Sequence, residues 1–69
     1  MKHLSDIGAN VREIRQGLPG KVTQEQFGKL LGVPASVISD IENNKRTPSK
    51  HVAKKLAELT GEPAENFIR

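Results

Sequence analysis

QFGKLLGVPASVISDIENNKR, residues Gln26–Arg46, decides how this chain is read. Phe27, Leu30 and Leu31 cluster at helical spacing before Gly32, and Val37, Ile38 and Ile41 do so after Pro34. Apolar residues three or four positions apart share one face of a helix. Glycine commonly ends a helix in the left-handed conformation, and proline suits a first helical position, where its missing N–H costs nothing. The stretch therefore reads as two short helices, about 24–31 and 34–43, joined by a Gly-Val-Pro break.

On the N-terminal side, Val22-Thr23-Gln24-Glu25-Gln26 carries a capping box, with Thr23 as N-cap and Gln26 at the third helical position. Val22 and Phe27 stand where a hydrophobic staple packs. Farther upstream Leu4, Ile7, Val11, Ile14 and Leu18 repeat every three or four residues, the stripe of an amphipathic first helix. Ser5 is expected to cap it, with Asp6 in the first turn, and Gly17, Pro19 and Gly20 end it. Downstream, Asn44 suits a left-handed cap, and Lys45 to Pro48 form a loop. Ser49 caps a fourth helix with the stripe Val52, Leu56 and Leu59, closed by Gly61. Glu62-Pro63 opens a short fifth segment carrying Phe67 and Ile68. No stretch alternates with period two, so no strand is expected. Gly28 lies inside the second helix, where glycine costs about 1 kcal/mol against alanine. Either another helix approaches closely there or the position simply tolerates it.

The 69 residues are enough for one small domain, 1–69. There is no cysteine, hence no disulfide framework and no thiolate metal site, which fits a cytoplasmic setting. No apolar run approaches the ~18 residues a membrane span needs, so no membrane partner is expected. The formal net charge is +3, and its distribution says more than its size. Between Asn43 and Ala57 stand Lys45, Arg46, Lys50, Lys54, Lys55 and His51, without a single acid. Such a block is either a solvated face or a patch for a polyanion. Phe27 and Phe67 are the only aromatic residues, and both sit in apolar patterns. Single-strand binders stack bases on exposed rings, so a nucleic-acid partner would be duplex DNA.

From Val22 to Ser49, VTQEQFGKLLGVPASVISDIENNKRTPS resembles the lambda-repressor/Cro-type helix-turn-helix, the XRE family. The matching residues are Thr23, Gln24, Gly32, Val33, Ile38, Ile41, Glu42 and Pro48, and the likeness runs from about Ile7 to Ile68. Pro34 stands where the family often has a capping Ser or Thr, Gly28 for a usual Ala and Asn44 for a usual Gly. The loop from Gln16 to Val22 is about two residues longer than is common. The resemblance implies an all-α, compact five-helix domain. It further implies a sequence-specific regulator of transcription that binds double-stranded DNA, as a dimer on a palindromic operator.

The third helix would then be the reading helix. The resemblance points to Ala35, Ser36, Ser39 and Asp40 at base edges, with Val37 nearby. Serine bonds to several bases, Asp accepts from a cytosine amino group, and Ala or Val touches a thymine methyl. Val37 fits partial core packing equally well. The helix has no Lys or Arg, so phosphate grip must come from its flanks: Lys21, Gln24, Asn43, Lys45, Arg46 and Lys50. The resemblance also implies a structural ion pair between Arg15 and Glu42. Leu59, Phe67 and Ile68 supply either a homodimer surface or closure of the monomer core.

The alternative is an antitoxin-type module that neutralises a partner protein. An enzyme is not expected. His3 and His51 are isolated without metal-ligand spacing, and there is no Gly-x-Ser-x-Gly elbow or phosphate loop. No cofactor, metal or small-molecule ligand is expected.

Overall fold

Four α-helices and a closing 3-10 helix make up the structure, a computed structural model that describes residues 6–68. They are α1 (Ile7–Gly17), α2 (Gln24–Leu31), α3 (Ala35–Glu42), α4 (Lys50–Thr60) and the 3-10 helix Ala64–Phe67. No strand occurs among the described residues. The expected fifth helix is thus a single 3-10 turn. His3, Leu4 and Ser5 lie outside the described residues.

Capping chemistry sets the boundaries. Asp6, not Ser5, is the N-cap of α1: its carboxylate accepts from the Ala9 N–H at 3.2 Å. Asp caps as well as Ser does, and Asp6 immediately precedes the first helical residue. Thr23 and Gln26 form the reciprocal capping box of α2, with bonds of 3.1 and 3.0 Å. Pro34 is the N-cap of α3 rather than its first residue, and its ψ of 158 is extended. Its carbonyl accepts from the Val37 N–H at 3.0 Å, so the helix spans 35–42 rather than 34–43. Ser49 caps α4 through Val52.

Gly32 ends α2 at φ 78, and its place in the turn depends on Gly28. A Cβ on Gly28 would meet the Val33 carbonyl oxygen closer than real contacts allow, and Pro34 C at 3.3 Å. Only glycine lets the turn fold this tightly onto α2.

The core comprises Ile7, Val11, Phe27, Leu31, Ile38, Ile41, Val52, Ala53, Leu56 and Phe67, all buried. Positions that the apolar pattern left open are decided here. Leu30 points outward at 53% exposure and Leu59 at 43%, because Leu31 and Ala53 take the inward positions. Phe67 is fully buried, packed with the core on which α4 closes, so its ring is no part of a dimer surface. Ile68 remains exposed.

Candidate nucleic-acid interface

The last turn of α3 is anchored by one buried carboxylate. The Glu42 side chain has no exposed surface, and four donors from two other helices converge on it. Arg15 Nε donates to Oε2 at 2.7 Å and Arg15 Nη2 to Oε1 at 3.2 Å. Gln24 Nε2 donates to Oε1 at 3.1 Å, and Arg12 Nε at 3.4 Å. Burial alone pushes the Glu42 carboxyl up. The bonds from Arg15 and Gln24, the Arg15 charge and the bond from Arg12 outweigh it, and the group is held below its ordinary range. Arg15, whose guanidinium also donates to the Val22 carbonyl at 3.0 Å, is pushed up, chiefly by its bond to Glu42. The acid at the end of α3 therefore faces inward, tying α1, α2 and α3 together.

Ile38 and Ile41, both in the core, share this inward face of α3 with Glu42 and fix its orientation. The opposite face carries Ser36, which is exposed, and Ser39 and Asp40, which are half-buried, while half-buried Ala35 stands in the first turn at the border of the inward face. Val37 is half-buried and packs against the core. Positions 36, 39, 40 and 43 are three or four apart and form one outward row. Asn43 is exposed, and its amide donates to the Ser39 carbonyl at 2.9 Å.

A Schellman motif turns the chain at the end of this row. Asn44 takes φ 60, its N–H donates to the Ile41 carbonyl at 3.1 Å, and the Lys45 N–H donates to the Asp40 carbonyl at 2.8 Å. The reversal brings Arg46 back beside the helix, where Nη2 lies 3.7 Å from Asp40 Oδ2. Pro48 is buried in the same loop. Lys45, Lys50 and His51 are exposed. The first turn of α4 lies beside the α2–α3 turn, since a Cβ on Gly32 would be 3.6 Å from His51 Nε2. Lys45 and Arg46 thus stand at the C-terminal end of an outward face that has no cation of its own, and His51 lies beside the turn at its other end. Gln24, at the start of α2, gives its side-chain amide to Glu42. Lys21 is exposed in a left-handed backbone conformation, φ 53, next to Gly20 at φ 88.

A family model described as helix-turn-helix matches residues 11–67, which takes in all of α2, the turn and α3. This chain belongs to the helix-turn-helix family, in its lambda-repressor/Cro (XRE) branch. One similar curated protein is RghRB of Bacillus subtilis (strain 168), described as an uncharacterized HTH-type transcriptional regulator. It is 38% identical over 66 residues, covering 94% of this chain and 46% of that protein. The chain thus spans about half the length of this relative. No solved structure matches it. No helix among the described residues is long and apolar enough to cross a membrane.

Two features of this helix-turn-helix domain escaped the sequence reading. Arg12 joins the Glu42 cluster and donates to Asn43 Oδ1 at 3.4 Å. Its spacing of three from Arg15 puts both on one face of α1, a signal that could have revealed it. Asn44 does more than cap α3. Its Oδ1 accepts from the Gly8 N–H at 3.0 Å, and its Nδ2 reaches Asp6 at 3.4 Å. The helices touch there: a Cβ on Gly8 would lie 2.5 Å from the Glu42 carbonyl oxygen. Nothing local in the sequence marks that pairing.

Proposed function

We propose that this domain binds duplex DNA by laying α3 in the major groove, and that it serves a transcriptional regulator. The observation that carries the reading is the division of charge on one surface. The outward row of α3 is small and nearly uncharged, Lys45 and Arg46 follow it at its C-terminal end, and Lys50 and His51 open α4 beside the α2–α3 turn. A helix dressed this way fits between phosphates without demanding one, and the flanks supply affinity that does not depend on sequence.

In this reading Ala35, Ser36, Val37, Ser39 and Asp40 contact base edges, and Lys21, Gln24, Asn43, Lys45, Arg46 and Lys50 contact phosphates. Gln24 can serve both partners, because an amide has two N–H groups and Glu42 takes one. Val37 contributes at most part of its side chain, the rest being packed inward. Specificity from so few polar groups is modest, and DNA shape supplies part of it.

We further propose that two copies bind a palindromic operator. Two reading helices on one face of DNA stand about 34 Å apart, whereas the Cα envelope of this domain is 26 × 22 × 20 Å. One domain therefore reads one half-site. Leu59 and Ile68, exposed at 43% and 38%, are the apolar residues we assign to pairing.

The deciding experiment is selection of bound duplexes from a random pool, followed by titration at several salt concentrations. A recovered motif with inverted half-sites, and binding that falls steeply with salt, is the expected result. Recovery of no motif despite tight binding would exclude sequence-specific regulation.

A further inference from the structure

Asp40 is an acid on the face proposed to enter a polyanion, and its partner Arg46 is proposed to hold a phosphate. Neither group is locked. The pair is 3.7 Å apart, with the side chains 40% and 55% exposed, a geometry that contributes little stability. Arg46 also borders a cavity of about 350 Å³ beside Val37 and Thr47, so its side chain has room to move.

The two roles compete. While Arg46 pairs with Asp40, it neutralises the acid but gives no full charge to a phosphate. Once Arg46 moves to a phosphate, Asp40 is left without its countercharge among phosphates and acceptor-rich base edges. Only a donor restores it. In the major groove the natural donor for a carboxylate is the cytosine N4 amino group. The adenine amino group lies beside the N7 acceptor, which repels a carboxylate.

We propose that the Asp40–Arg46 pair is a specificity switch. Where cytosine faces Asp40, the carboxylate accepts from N4 and Arg46 is released to the backbone. At other sites the pair stays closed, and the complex loses one phosphate contact. Asp40 thereby discriminates by withholding a cation from the wrong sequence. This rests on the DNA-binding reading above and adds a test of its own.

The experiment measures binding of the full chain to two probes, poly(dA-dT) duplex, which has no cytosine, and the random duplex pool, over a range of salt. Wild type is compared with Asp40→Ala, Arg46→Ala and the double variant. On poly(dA-dT), Asp40→Ala is expected to bind roughly five- to tenfold tighter than wild type at ~0.1 M salt. Its log–log salt slope should steepen by about 0.9, the value of one added phosphate contact. In the Arg46→Ala background the same substitution should leave the slope unchanged. Duplexes that Asp40→Ala selects from the pool should lose a cytosine preference present in those selected by wild type. The switch is overturned if wild type binds DNA but Asp40→Ala has the same slope on poly(dA-dT), binds it more weakly, or selects the same motif. If wild type binds neither probe, the DNA-binding reading fails and the switch fails with it. The Asp40 side chain is 40% exposed, and thermal melts matching wild type are expected for all variants, which separates lost binding from lost folding.

Discussion

Glu42 shows how one residue can carry both fold and site. Its carboxylate is buried among Arg15, Gln24 and Arg12, so truncation leaves Arg15, itself only 16% exposed, without its counterion. Glu42→Ala is expected to lower the unfolding free energy by about 3–5 kcal/mol in chemical denaturation, the usual result of stranding one charge of a buried pair. The pH dependence has a definite sign. The folded-state pKa of Glu42 lies below its ordinary value, so the unfolded chain takes up this proton first as pH falls. The stabilisation is fully present above the unfolded value, about 4.3, and is lost as pH drops through the depressed folded one. Glu42→Gln, although less stable throughout, should show a flatter loss of stability below about pH 4.3; an acid limb as steep as that of wild type would mean other carboxylates govern it. Gly28 gives a second prediction at this scale. Alanine there would gain about 1 kcal/mol of helix propensity but would press a methyl onto the Val33 carbonyl and Pro34. Those are backbone atoms that cannot rotate away, and overpacking typically costs ~1–3 kcal/mol. Gly28→Ala should therefore lower the melting temperature, where an ordinary helical glycine would raise it.

The helices differ in how far their own sequence specifies them. α2 is defined locally: Thr23 and Gln26 close its start, Gly32 ends it at positive φ, and each signal lies within a few residues of its effect. Thr23→Ala should cost about 1 kcal/mol, and the loss should be read as a lower denaturation midpoint with unchanged m-value. The start of α4 at Ser49 and the left-handed residue after α3 at Asn44 were legible for the same reason. What was not legible depends on contacts between elements. Whether Leu30 or Leu31 turns inward, and whether Phe67 completes the core or faces out, cannot be set by periodicity when two adjacent positions both fit the stripe. The bond from Gly8 to Asn44 spans 36 residues, and the return of Arg46 to Asp40 follows from a reversal at Asn44. The sequence therefore proposes residues for the candidate site but not the pairs among them, and the pairs govern its electrostatics.

At the scale of the whole molecule, the proposed pairing of two copies depends on which apolar surface the fold leaves open. Of the two roles the sequence left open for Leu59, Phe67 and Ile68, Phe67 closes the core, and Leu59 and Ile68 stay exposed. Two aliphatic side chains make a small patch, so pairing in free solution should be weak and should strengthen when DNA holds two copies one turn apart. A two-fold contact uses the same patch on both partners, so one substitution strikes it twice. Leu59→Glu places two like charges across such an interface while leaving the monomer core intact, since Leu59 is already 43% exposed. The monomer should melt as wild type does. Binding to a single half-site duplex should be unchanged, and cooperative binding to the inverted repeat should be lost, as gel-shift titrations of both duplexes would reveal. Leu30→Glu alters another exposed leucine, at 53% on α2, and serves as the comparison. If it abolished cooperativity while Leu59→Glu did not, the pairing surface would lie on α2, and the two reading helices would face one another in a different geometry.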